Sequence, residues 1–179
     1  MPLVLRPWSA RDAPVLVETA SAVPDLQSQF GDATLENLAG AEAFIATALA
    51  YDESRRNWAI VEDGVAVGNI GATAIERRHG TAWMSYWLVP RARGKGYAVR
   101  ALSAVSTWAF EDGLHRLELG HRVNNPASCR VACAAGYAPE GIEREKLRYG
   151  DERFDVETHA RLAKDPEPDA GGEKILLSL

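Results

Sequence analysis

This chain of 179 residues predicts an α/β fold: one mixed sheet with helices on both faces. Two observations carry that expectation. In the middle of the chain, apolar runs of strand length alternate with segments whose apolar residues recur at three- and four-residue spacing. Toward both ends, pairs of strand-like runs flank turn residues, Glu62-Asp63-Gly64 in one case and Tyr149-Gly150-Asp151 in the other.

Taken in order, Leu3-Val4-Leu5 reads as a first strand stopped by Pro7. Ser9 or Asp12 then caps a helix to about residue 22, since a short side-chain oxygen satisfies an orphan N–H of a first turn. Residues 24–33 carry Pro24, Gly31 and mixed polarity and read as a loop. Thr34 starts a second helix through Ala50, with Leu38, Phe44, Ile45, Ala48 and Leu49 on its buried side. Trp58 to Val61 and Val65 to Ile70 form a hairpin, and Ala82 to Val89 is the next strand. A helix follows, in which Tyr97, Ala98, Ala101, Leu102, Val105, Trp108 and Ala109 set the apolar face, ending near Asp112. Arg116 to Val123 alternates as a strand, with Leu117, Leu119 and Val123 on one face. Pro126 to Ala135 is a helix with Pro at its favourable first position. Residues 138–147 and 152–162 close the domain as a strand pair. From Lys164 the run Asp-Pro-Glu-Pro-Asp-Ala-Gly-Gly predicts a flexible tail, giving a domain at 1–163 and a tail at 164–179. The tail's apolar end, Ile175-Leu176-Leu177, is expected to stay flexible rather than dock on a neighbouring subunit.

Composition narrows the partners. The apolar fraction of 46% and charged fraction of 25% are those of an ordinary globular domain with a sizeable core. Formal charge is −5 with Lys and Arg dispersed, which argues against a broad nucleic-acid surface. No apolar run approaches the roughly 20 residues that span a bilayer, so no membrane partner is expected. The N-terminus lacks the order of a signal peptide, and a cytoplasmic location is the expectation. Cys129 and Cys133, four apart on one helix, have no other Cys or His at ligand spacing, so neither a disulfide framework nor a metal site is expected.

The chemistry concentrates at Arg93-Gly94-Lys95-Gly96-Tyr97-Ala98, between a strand and a helix. The first N–H groups of a helix have no internal acceptor, and the helix dipole adds about half a positive charge there. Gly94 and Gly96 let backbone approach a ligand, while Arg93 and Lys95 add charge; phosphate or pyrophosphate is the simplest ligand. No segment supplies a Walker loop, and Gly94-Lys95-Gly96-Tyr97-Ala98-Val99 fails the dinucleotide fingerprint at its third glycine. Arg93, Gly96 and Ala98 instead resemble the Arg/Gln-x-x-Gly-x-Gly/Ala coenzyme A loop of the GNAT N-acetyltransferase family. A second block resembles the same family: Asn125, Ser128, Val131, Gly136, Tyr137, Glu140 and Gly141 match its Asn-x-x-Ser, Gly-Phe/Tyr and Glu-Gly pattern. The Tyr86-Trp87-Leu-x-Pro lead-in is most similar to the subgroup acetylating ribosomal-protein N-termini. The resemblance spans roughly residues 3–163.

The resemblance implies a mostly antiparallel sheet, acetyl-CoA as co-substrate, an amine acceptor (a protein N-terminus or a small molecule) and, as often in the family, a homodimer. It implies that backbone at Leu88 and Val89 pairs with the pantetheine arm and supplies an oxyanion N–H. The N–H groups from Gly94 to Ala98 would hold the pyrophosphate and Asn125 the thioester region. Ser128 is the candidate to protonate the leaving sulfur. The family's usual glutamates are absent: Trp83-Met84-Ser85-Tyr86-Trp87 stands before the loop and Arg100 in the helix. A lysine-like amine, pKa ~10.4, needs help losing its proton at neutral pH. His121 and Glu118, on the strand beside the gap, are the candidate bases. Acyl groups other than acetyl, and an inactive acyl-CoA-binding module, are the alternatives.

Overall fold

The structure, a computed structural model, describes residues 3–22, 26, 30–31, 33, 35–169, 171 and 175–178. Its strands are β1 (Val4–Pro7), β2 (Arg56–Glu62), β3 (Val65–Glu76), β4 (Thr81–Leu88), β5 (Arg116–Arg122), β6 (Ala138–Tyr149), β7 (Glu152–Leu162) and β8 (Leu176–Leu177). Its helices are α1 (Ala13–Ala22), α2 (Leu38–Thr47), α3 (Tyr97–Glu111) and α4 (Pro126–Ala134). One sheet takes all eight strands in the order β6-β7-β5-β4-β3-β2-β1-β8. Only β4–β5 and β1–β8 run parallel; the other neighbours are antiparallel.

Local sequence accounts for most element ends. The β2–β3 hairpin turns on Asp63 and Gly64, both at positive φ (52° and 81°), the two-residue turn whose twist matches its strands. Before α1, a 3-10 turn at Ala10–Asp12 uses both candidate caps: the Ser9 N–H and hydroxyl each donate to Asp12 Oδ2 at 3.0 Å. Helix α2 begins later than the periodicity indicates, because Asn37 Oδ1 accepts from the Gly40 N–H (2.9 Å) and sets the start at Leu38. Its inward residues are Ala41 and Ile45, continued by Leu49, and Leu38 is 53% exposed. Thr34, the expected start, and residues 23–25, 27–29 and 32 of the expected loop lie outside the described residues. On β5, Val123 falls past the strand end and is exposed, and His121 takes the inward position in its place.

The sheet separates two helical layers. On one face Trp87 of β4 meets Phe30 and Trp8, and Phe30 meets Phe44 of α2. Trp8 Nε1 donates to Asn69 Oδ1 (2.8 Å), and Asn69 Nδ2 donates to Asn57 Oδ1 (3.2 Å). Asn57 Nδ2 reaches the Ala48 and Ala50 carbonyls at 3.3 Å, so buried amides fasten the end of α2 to β2 and β3. On the other face α3 buries Ala101, Leu102, Val105 and Ala109, and Trp108 packs on Trp58 at 5.0 Å between ring centres. Buried Tyr137, just after α4, shares a 2.7 Å hydrogen bond with Ser106 of α3.

The apolar end of the tail pairs within its own chain. Leu176 and Leu177 lie parallel to Val4 and Leu5, and the Ser178 N–H donates to the Leu5 carbonyl at 2.8 Å. The expectation of a flexible end therefore does not hold for this segment: β1 offers an unpaired strand edge, and an apolar segment of suitable length covers it. Residues 170, 172–174 and 179 of the tail lie outside the described residues.

One irregularity of the sheet positions everything that follows. Strands β4 and β5 pair only at Thr81↔Arg116, Ala82↔Leu117 and Trp83↔Glu118. Past that point β4 follows β3 to Leu88 and β5 follows β7 to Arg122, so a gap opens inside the sheet. The Trp83 ring lies over Gly120 at the fork, where an added Cβ would stand 3.2 Å from it and 2.9 Å from Val156. Across the gap, the Tyr86 hydroxyl donates to the Ser128 carbonyl at 3.1 Å.

Candidate active site

The glycine-rich turn sits at the end of β4. Its helix begins when the Arg100 N–H bonds to the Gly96 carbonyl (3.1 Å), so the amides of Tyr97, Ala98 and Val99 have no intrahelical acceptor. Gly94 and Gly96 have φ of 74° and 77°, and a Cβ on either would meet nothing within 4 Å. Backbone conformation demands glycine there, and the space outside is open to a ligand. Arg93 Nε donates to the Leu88 carbonyl (3.0 Å), which joins the turn to the strand end. Lys95 Nζ donates to Glu62 Oε1 (2.9 Å), and the Tyr97 hydroxyl donates to the same carboxylate. Those two bonds, Tyr97 first, hold the Glu62 carboxyl below its usual range. Glu62, at the end of β2, thus braces the turn from across the sheet. Nothing in the sequence marks it, because its partners lie 33 and 35 residues away.

The two backbone candidates at the end of β4, Leu88 and the next residue Val89, differ. The Val89 N–H is committed to the Val67 carbonyl of β3 (2.9 Å). In an antiparallel ladder, alternate residues point their backbone groups to opposite sides. Leu88, Tyr86 and Met84 therefore turn theirs toward the gap, and Leu88 is the residue placed to offer an N–H there.

On the far side of the gap, Asn125 is the N-cap of α4 and its Oδ1 accepts from the Ser128 N–H at 3.2 Å. The Asn-x-x-Ser spacing is thus a helix cap that brings both residues to one helix end. With its N–H held by Asn125 and its carbonyl by Tyr86, half-buried Ser128 is fixed against the gap. Burial lifts the Tyr86 phenol to about 12, so it remains a donor at neutral pH.

The two candidate bases do not meet. Glu118 and His121 are three apart on a strand and so face opposite sides of the sheet. Glu118 lies in the paired stretch below the fork, where Arg116 Nε donates to it (2.7 Å) and also bonds Glu140 through its other nitrogens. It borders a cavity of about 280 Å³ with Trp83, Glu143 and Lys146. His121 lies past the fork, buried, with Nε2 at 3.0 Å from His159 Nε2 and 3.2 Å from Glu157 Oε2. The His159 bond, followed by one from Cys129, holds the Glu157 carboxyl low. Burial first, then Cys133, pushes the Cys129 thiol up. Sequence reasoning singled out neither Glu157 nor His159. Both come from β7, where strand register alone sets Glu157 opposite His121.

A gap between parallel strands beside a glycine turn at a helix N-terminus suits a molecule with a pyrophosphate and an extended amide arm. The open φ-positive glycines and the gap-facing Leu88 backbone fit coenzyme A on that count. The family described as an acetyltransferase (GNAT) domain matches residues 2–138. An uncharacterized N-acetyltransferase of Bacillus subtilis, YoaA, is 24% identical over 163 residues, 88% of this chain and 92% of that one. The ribosomal-protein-serine acetyltransferase of Escherichia coli is 32% identical over 104 residues, 58% of each chain. The microcin C7 self-immunity acetyltransferase MccE, solved with acetyl-CoA and AMP, superposes with a TM-score of 0.81. Identity there is 18%, with 90% of this chain and 92% of that one covered. No helix among the described residues is long and apolar enough to cross a membrane. With the family match spanning most of the chain, this protein belongs to the GNAT acetyltransferases and uses acetyl-CoA as its acyl donor.

Proposed function

We propose that the protein acetylates the α-amine of a protein N-terminus. The observation that carries this reading is the electrostatics of the cavity beside Trp83. Its carboxylates already have cationic partners within the fold: Glu118 and Glu140 on Arg116, and Glu143 on Lys146. A polyamine site needs carboxylates left over for several ammonium groups, whereas one α-amine on a peptide needs none of them ionised and unpaired. The 32% identity to a ribosomal-protein-serine acetyltransferase supports the same choice.

When bound, acetyl-CoA supplies the acetyl thioester. The amides of Gly94 to Ala98 at the start of α3 hold its pyrophosphate, and Lys95 turns from Glu62 to the added negative charge. Asn125 steadies the thioester region from the cap of α4. The Leu88 N–H stabilises negative charge on the acyl oxygen. His121, its Nδ1 beside the Arg122 carbonyl and its Nε2 beside Glu157 on the other face of β5, takes the proton of the incoming amine through water in the gap. Ser128 hands a proton to the departing sulfur.

The test is mass spectrometry of acetyl transfer to peptides with free N-termini, beside N-blocked peptides and spermidine. Acetylation confined to the free α-amine is expected. In Ser128→Ala, kcat should fall about tenfold, a modest factor because a thiol of pKa ~8.5 leaves with little help, while acetyl-CoA affinity stays unchanged. Preferential acetylation of spermidine would overturn the acceptor assignment, and an unaltered kcat would remove Ser128 from the mechanism.

A further inference from the structure

Four side chains from three elements converge beneath α4. His121 Nε2 and His159 Nε2 are 3.0 Å apart, with Glu157 Oε2 at 3.2 Å and 3.1 Å from them. Cys129 of α4 completes the group, and the four ligand atoms lie within 4.8 Å of one another. Both rings are held through their other nitrogen. His121 Nδ1 is 3.0 Å from the Arg122 carbonyl, and His159 Nδ1 is 3.3 Å from the Tyr137 carbonyl. A carbonyl oxygen only accepts, so a hydrogen on each Nδ1 satisfies it, and once a metal ion displaces the proton that His159 Nε2 shares with Glu157, both Nε2 atoms offer a lone pair inward. Two ring lone pairs, a carboxylate and a sulfur thus face one point. A proton shared between two of them serves only that pair, whereas a metal ion serves all four.

We propose that His121, Cys129, Glu157 and His159 form a site for a divalent transition metal of the zinc class. Two nitrogens, one oxygen and one sulfur are a borderline-soft donor set, suited to zinc and unsuited to calcium or magnesium. Ligand atoms on a tetrahedral zinc ion lie roughly 3.3–3.8 Å apart, so the two ring nitrogens and the carboxylate oxygen would open by a few tenths of an ångström while the widest pair would close by about 1 Å, within the reach of side-chain rotation. An Nδ1–H bonded to a backbone carbonyl is the usual outer support of a zinc-bound histidine, and both rings have it. The ligands come from β5, β7 and α4, so the site exists only in the folded chain. The site shares His121 with the transfer reaction proposed above; on that reading, the metal-loaded form has no free base.

The experiment uses the reduced, chelator-stripped full chain. Zn²⁺ is titrated against a chromophoric chelator, and Co²⁺ binding is followed by visible absorption. The wild type is expected to withhold one equivalent of Zn²⁺ and to give a tetrahedral Co²⁺ spectrum with a thiolate charge-transfer band. Cys129→Ser should lose that band and Cys133→Ser should keep it. His159→Gln should weaken Zn²⁺ binding at least about tenfold, with far-UV dichroism of the metal-free variants confirming that each is folded. Failure of the wild type to withhold Zn²⁺, or a charge-transfer band that depends on Cys133 and survives in Cys129→Ser, overturns the site. Zinc binding by a protein that acetylates no amine would keep the site and remove the function proposed above.

Discussion

Asp12 shows how much one side chain settles in this protein. It is 5% exposed, takes both guanidinium nitrogens of Arg6 at 2.7 Å, and accepts from Ser9 ahead of α1. Burial pushes its carboxyl up, but the bonds from Arg6 and Ser9 outweigh that, and the net shift is downward. A folded-state pKa below the unfolded value, ~3.9, means this contribution to stability is complete above that pH. It is lost as pH falls through the folded value. Asp12→Asn should therefore lower unfolding stability by about 2–4 kcal/mol at pH 7, with the gap from wild type closing in acid. Urea midpoints measured from neutral pH down to pH ~3 would check this; curves that stay parallel throughout would exclude the ion pair as the cause. The sequence offered Ser9 and Asp12 as alternative caps. Their cooperation, and the part of Arg6, needed the chain to fold back from β1.

Elements were legible where the signal is local. A two-residue turn between apolar runs fixes the β2–β3 hairpin, and the glycine turn before α3 stands where the sequence puts it. The start of α2 was not legible, because periodicity reports the interior of a helix while Thr34 and Asn37 are equally good caps on paper. The glycine turn carries the sharpest element-scale prediction. A Cβ at Gly96 meets nothing within 4 Å beyond its chain neighbours, so Gly96→Asp opens onto free space and costs about 1–2 kcal/mol of backbone strain. It also sets a negative charge where pyrophosphate should lie. Calorimetric titration with acetyl-CoA should show binding in the wild type and none in the folded variant. Equal binding in both would move the cofactor site away from this turn.

At the scale of the whole molecule, the tail and the sheet edge decide one another. Ile175 and Leu177 pack against the core, and β8 supplies a partner for the outer edge of β1. Truncation before Ile175 should cost about 1–2 kcal/mol, roughly one partly buried leucine and its strand bonds, and should speed amide exchange at Leu5. An unchanged melting temperature together with unchanged exchange in β1 would show that the pairing contributes nothing.

The division between sequence and fold follows from range. The glycine turn, the Asn-x-x-Ser cap and the hairpins are each completed within a few residues, so their geometry is written in consecutive letters. Cys129 and Cys133 offered no metal chemistry by that measure, since neither has a histidine nearby along the chain. Tertiary structure brought His121 and His159, 38 residues apart, to Cys129 through strand register and the seating of α4. Alternation along β5 sets Glu118 and His121 on opposite faces, whereas Arg116 reaches Glu140, 24 residues away, only through the fold. By itself the sequence determined the fold class and the glycine turn at the start of α3, because both rest on periodicity and short-range turns. Only the fold decided which groups face the gap, because that depends on contacts between strands that no local pattern encodes.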